Sequence, residues 1–199
     1  MAMQTAKIDI KGIGTLLLNN PQTVDRFNKY ARRMAAINAK KTRRTDDDYL
    51  ELRQLEIESK LYFDDAMGVY VPGSWMMEAL AVNGFRVAKL SRDTIRGSLF
   101  VAEPKLQLTY ANMNKVKTPQ DIVMNSDFHW IVGLPQGQVR VMKAFPKFQD
   151  WSFSATVEFD DKMIDPGSLT AIAKHAAKYN GFGDFRPTFG RAVAEVTHG

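Results

Sequence analysis

The sequence predicts an α+β fold: an antiparallel sheet with helices laid against one face. Three observations carry that expectation. Residues 151–159 alternate without a break, Trp151, Phe153, Ala155, Val157 and Phe159 on one side and Ser152, Ser154, Thr156 and Glu158 on the other. That is the period of a strand with one wet face. Residues 74–90 and 165–179 instead repeat their apolar positions at helical spacing. Finally, once insertions at about 19–71 and 111–126 are set aside, the segments follow in the order strand, helix, strands, helix, strand.

Taken in order, residues 7–18 set Ile8 and Ile10 against Lys7, Asp9 and Lys11. They read as a strand that runs through Gly12 and Gly14 to the turn at Asn19, Asn20 and Pro21. Residues 24–37 are expected to be helical, with Phe27, Tyr30, Met34 and Ile37 on one face. Thr45 and the acids Asp46, Asp47 and Asp48 open a helix to about Lys60, with Tyr49, Leu52, Leu55 and Ile57 turned inward. Residues 61–71 form a hairpin closed around 66–68. Pro72, Gly73 and Ser74 start the next helix, whose stripe is Trp75, Met76, Ala79, Leu80 and Val87. Its first N–H groups make a usable anion site at Ser74, unless the serine caps them itself.

Residues 99–110 read as a strand interrupted by Pro104, and 111–126 as a polar, irregular insertion. Strands at 128–134 and 139–145 are joined by a turn at 135–138. Asp165 and Pro166 open a helix to Tyr179, with Leu169, Ile172, Ala173 and Ala176 facing in, and a last strand covers 189–196. This is the split βαβ plan of ferredoxin-like and RNA-recognition (RRM-like) domains, here a single domain over 1–199. The open face of such a sheet is free for nucleic acid or a neighbouring subunit.

The 199 residues, 45% hydrophobic and 11% aromatic, suffice for a full core. No window approaches a membrane span and the start MAMQTAKIDI has no secretion signal, so a cytoplasmic protein without a membrane partner is expected. The absence of cysteine excludes disulfides and thiolate metal sites. His129, His175 and His198 stand in no metal-binding or base–nucleophile spacing, and neither metal nor cofactor is expected.

Charge is unevenly spread. Residues 1–45 hold ten Lys/Arg against Asp9 and Asp25, which leaves the rest of the chain net negative. The run Arg26, Lys29, Arg32, Arg33, Lys40, Lys41, Arg43 and Arg44 would attract a polyanion with a strong salt dependence. Its competitor is the acidic helix that follows, against which the arm can fold.

The least ordinary stretch is 180–191, NGFGDFRPTFGR, in which Gly181, Gly183 and Gly190 interleave with Phe182, Phe185 and Phe189 beside Arg186 and Arg191. Free N–H groups and arginines in such a loop meet phosphates, and its aromatics stack on bases. Alternatively it is a tight connection whose phenylalanines are core.

Gly181-Phe182-Gly183 and Phe189-Gly190-Arg191 before a final strand resemble the glycine-rich loop of the RAMP superfamily of CRISPR-associated proteins. The segment from Gly68 to Ser74 is similar to the turn that starts the first helix of that family's backbone subunits, although Trp75, Met76, Met77 and Glu78 then depart from the family pattern. The resemblance implies a ferredoxin-like core that coats RNA as a helical stack of identical subunits, and tailed-phage products of this style suggest a phage-encoded relative. The expected function is therefore non-catalytic binding of single-stranded RNA or DNA, as a homo-oligomer or filament. Its expected contacts are Lys29, Arg32, Arg33, Lys40, Lys41, Arg43, Arg44, Ser74, Gly181, Phe182, Gly183, Arg186 and Arg191. Two alternatives stand beside it. One is a metal-independent endoribonuclease like the family's guide-processing members, with His129, Asp64 or Asp65 as the groups to consider. The other is an anti-defence or protein-binding subunit whose arm embraces an acidic partner.

Overall fold

The computed structural model describes residues 3–199. In chain order these form β1 (Gln4–Gly12), β2 (Leu16–Leu17), α1 (Lys29–Asn38), α2 (Asp46–Lys60), β3 (Phe63–Asp64), β4 (Gly68–Pro72), α3 (Gly73–Ala88), α4 (Arg92–Ser98) and β5 (Leu99–Val101). Then come β6 (Lys105–Gln107), α5 (Pro119–Val123), β7 (His129–Gln136), β8 (Val139–Phe148), β9 (Ser152–Phe159), α6 (Pro166–His175) and β10 (Ala192–His198). The architecture is mixed α+β with antiparallel sheets.

The largest sheet has four strands in the order β10-β1-β9-β5, all neighbours antiparallel. Alternation decides its two faces. Ala6, Ile8 and Ile10 of β1 and Phe153, Ala155, Val157 and Phe159 of β9 point into a core that also holds Met76, Ala79 and Leu80 of α3 and Leu169, Ile172 and Ala173 of α6. Thr5, Lys7, Lys11, Ser154, Glu158, Glu195 and Thr197 point away, with Phe100 and Val193 as exposed apolar side chains among them. A second sheet, β2-β8-β7, carries the long β7–β8 hairpin, and a third joins β3, β4 and β6. The same core cluster takes in Ile57, Leu61 and Val69 from the 19–71 segment and Ile122, Val123 and Phe128 from 111–128.

Capping residues account for most helix boundaries. Thr45 and Asp48 form a reciprocal capping box at the start of α2, and the Asp165 carboxylate accepts from the Ser168 N–H at 2.9 Å at the start of α6. Elsewhere the expected elements shift. Asn28 caps α1 by accepting from the Tyr30 N–H at 2.9 Å, so the helix starts five residues later than the spacing suggested. Val24 and Phe27 are left outside it, exposed, and Tyr49 also faces solvent. Residues 111–126 are not irregular: Thr118 and Asp121 cap α5, which buries Ile122 and Val123. Pro104 separates β5 and β6 into different sheets, and α4, capped by Ser91, is an element the sequence reading missed. The last helix ends as an α-helix at His175, continues as one π-helical turn, Ala176–Asn180, and β10 begins only at Ala192.

Candidate nucleic-acid interface

The glycine-rich loop lies against the segment that follows β1. The Asp184 N–H donates to the Leu17 carbonyl at 2.9 Å, the Gly190 N–H to Thr15 at 2.8 Å, and the Ile13 N–H to Arg191 at 2.8 Å. Within the loop the Phe182 N–H donates to the Gly190 carbonyl at 2.8 Å, and the Gly181 N–H reaches Ala176 at 2.9 Å. The N–H groups of Gly181, Phe182, Asp184 and Gly190 are consumed by the protein, which corrects the expectation of free N–H groups for phosphate at those four positions. The glycines serve close backbone approach instead. At Gly190, φ is 72° and a Cβ would strike the Phe182 carbonyl; at Gly183, φ is 76° and a Cβ would strike that of Leu17.

The three phenylalanines divide. Phe182 is 1% exposed and packs on Phe153 and Trp151 at ring-centroid distances of 5.1 and 6.3 Å. Its ring has no face left for a base, so the expected stacking role falls away at this residue. Phe185 and Phe189 are half-buried against Trp130, at 4.8 and 4.9 Å, and so fasten the loop to the β7–β8 hairpin. Arg186 and Arg191 remain exposed.

What the loop does build is a cleft of about 330 Å³ lined by Asn19, Pro21, Tyr62, Trp75, Glu78, Phe182, Gly183, Asp184 and Arg186. Gly183, Asp184 and Arg186 also line a second hollow, with Tyr179 and Pro187. Of the expected contacts, Phe182, Gly183 and Arg186 line the first cleft; the stretch 68–74 does not reach it, but Trp75, immediately after it, does. Trp75 stands in the first turn of α3 and Tyr62 follows the end of α2; their rings are 5.6 Å apart at 87°. Tyr62 in turn meets Tyr70 of β4 at 5.7 Å, and the Lys105 ammonium lies 5.1 Å from the Tyr70 centroid. Trp75, Tyr62 and Tyr70 thus form a series of three half-buried rings with Lys105 beside Tyr70, and Arg186 lines the same cleft as Trp75 and Tyr62. Burial, with help from Tyr70, raises the Tyr62 phenol above its ordinary pKa, so it stays neutral.

Both cleft carboxylates are engaged. Asp184 accepts from Asn19 Nδ2 at 2.7 Å and from the Phe185 N–H at 2.8 Å, and Glu78 pairs with Arg96. At the end of α2, Lys60 donates to the Ala144 carbonyl at 2.5 Å and lies 3.7 Å from the Phe145 centroid. Burial pulls this ammonium down to about 8, with Lys143 also lowering it and Glu56 and Asp184 opposing.

The basic arm is partly neutralised, as the competing expectation held. Arg33 makes two bonds to Glu51, at 2.5 and 2.7 Å, and Lys40 reaches Asp48 at 2.5 Å. That bond, with the Thr45 N–H, holds the Asp48 carboxyl below the usual carboxylate range. Arg33 and Lys40 are therefore committed to the chain's own acids, contrary to their expected role. Lys29, Arg32, Lys41 and Arg43 are exposed, and Arg44 bonds to Asn38 and the Lys41 carbonyl. Ser74 is exposed but does not cap α3, whose Gly73 N–H donates to the Pro104 carbonyl at 2.9 Å.

The residues weighed for catalysis do not meet. His129 donates through Nε2 to the Ile122 carbonyl at 3.1 Å, and burial depresses its pKa. Asp64 is paired with Lys105 at 2.5 Å, while Asp65 is exposed in the β3–β4 turn. Among the described residues no group of three or more His, Cys, Asp or Glu is placed to hold a metal ion, and no helix is long and apolar enough to cross a membrane. Comparison with protein-family models and with curated proteins gave no match.

Proposed function

We propose that the chain is a RAMP-like protein that binds single-stranded nucleic acid, RNA foremost, without cleaving it. The observation that carries this reading is the convergence of Tyr62, Trp75 and Arg186 on one cleft, continued by Tyr70. Ring surfaces with the exposed cation Arg186 beside them match what a single strand requires: flat surfaces for bases and positive charge for the phosphates between them. Glu78 and Asp184, in the same cleft, have oxygens that can accept from the exocyclic amines of adenine, cytosine or guanine. Arg186 meets the adjacent phosphate. The exposed cations Lys29, Arg32, Lys41 and Arg43 add attraction that carries no sequence preference.

The sheet order β10-β1-β9-β5, with α3 after the first of these strands and α6 before the last, supports a ferredoxin-like reading of the core. The open face of that sheet offers mainly Ser, Thr and charged side chains, with Phe100 as its exposed ring. The strand is therefore routed over the cleft, and the sheet face is left for assembly into the oligomer that coats the ligand. Ultraviolet crosslinking to a 4-thiouridine oligonucleotide, followed by peptide mapping, tests the route. Crosslinks within 60–78 and 181–191 are expected, and crosslinks confined to β1, β9 and β10 would contradict it.

A further inference from the structure

A further groove, of about 610 Å³, is lined by residues of α1, α2 and the β7–β8 hairpin. Met34, Leu52, Ile131 and Met142 give it an apolar lining, and Met142 is 66% exposed although it sits at the centre of a paired hairpin. Around that lining stand the guanidinium groups of Arg44, Arg53 and Arg140, and among the described residues none pairs with a carboxylate. Arg44 is held over the Tyr49 ring at 5.0 Å by bonds to Asn38 and the Lys41 carbonyl. The one acid in the groove, Glu56, is used up internally: its oxygens accept from Lys143 and from the Ala144 N–H, each at 2.7 Å.

We propose that this groove docks an acidic amphipathic segment of a partner protein. Unpaired arginines ask for carboxylates, and methionine-lined floors adapt to the aliphatic or aromatic anchors that a helical segment presents every three or four residues. A nucleic acid would satisfy the arginines but leave the methionines and Ile131 facing sugar and phosphate. The groove is separate from the aromatic cleft and shares no lining residue with it.

The test uses the whole chain with 13C-methyl methionine and a fluorescent peptide of about four helical turns, Leu at i, i+4 and i+7 and Glu on the remaining faces. Binding is expected to shift the Met34 and Met142 methyl signals. It should weaken at least about tenfold when Lys replaces Glu in the peptide, in Met142→Glu, and in the double variant Arg53→Glu/Arg140→Glu. Trp75→Ala should leave it unchanged. The proposal fails if the peptide leaves both methyls unmoved or binds Met142→Glu as tightly. It also fails if an oligonucleotide, and not the peptide, moves them, which would make the groove a nucleic-acid surface.

Discussion

The rings of Tyr62 and Trp75 stand nearly perpendicular, at 87°, with centroids 5.6 Å apart. This pair joins the end of α2 to the first turn of α3, and it faces a cleft whose other wall is the glycine-rich loop. Edge-on aromatic pairs add about 0.5–1.5 kcal/mol beyond burial. The arrangement thus holds a platform in shape before any ligand arrives.

Trp75 and Phe182 line the same cleft but should answer substitution differently. Phe182→Ala removes a core ring and is expected to cost about 3–5 kcal/mol in urea unfolding. Trp75→Ala, from a half-buried position, should cost less stability. Trp75→Phe, which keeps a ring, should retain most of the binding that Trp75→Ala loses.

Arg186 and Arg33 make opposite predictions about salt. Arg186 is exposed in the cleft, so Arg186→Ala should reduce the slope of log affinity against log salt by about 0.7, one phosphate's share on a single strand. Arg33 is held by Glu51. Glu51→Gln should release it, steepen the slope and raise affinity at low salt. Anisotropy titrations across a salt series read both.

Gly190→Ala should destabilise the fold by about 2 kcal/mol or more, because it combines a φ of 72° with a collision against the Phe182 carbonyl. Gly14→Ala, where a Cβ would meet nothing within 4 Å, is the control and should be near neutral. Denaturation midpoints distinguish the two.

Lys60 gives a pH dependence of defined sign. Its folded pKa is about 8 against 10.5 for an ordinary lysine, so above pH 8 the unfolded chain holds a proton that the native state has released. Stability from this group therefore rises between pH 8 and 10.5, by up to about 3 kcal/mol at 1.36 kcal/mol per unit. Comparison with Lys60→Met, below the pH at which tyrosines ionise, isolates the effect. A wild-type curve parallel to that of the variant would remove Lys60 as its source.

Much of the scaffold was legible because its signals are local. Thr45 with Asp48, Asp165 before Pro166, and the alternation from Trp151 to Phe159 each act within a few residues. The site was legible only in outline. The stretches 68–74 and 180–191 pointed to it, and Arg186 lies in it. Nothing in the spacing of Phe182, Phe185 and Phe189 tells which ring enters the core, since that depends on the loop docking against Leu17 and the β7–β8 hairpin. Trp75 was placed in the apolar stripe of its helix and Tyr62 in a hairpin, not in a site, for the same reason: Arg186, which lines the cleft with them, lies more than a hundred residues away. The arm's charge was visible, but its commitment to Glu51 and Asp48 arises from the packing of α1 on α2.

The central claim is that the Tyr62–Trp75–Arg186 cleft grips a single strand, and one titration tests it: anisotropy of a fluorescent single-stranded RNA against wild type and Trp75→Ala at low salt. Wild type should bind, with affinity falling steeply as salt rises, and Trp75→Ala should bind about 5- to 150-fold more weakly, the worth of one stacked base at about 1–3 kcal/mol. Equal affinities for the two proteins, or no binding by wild type at low salt, would contradict it.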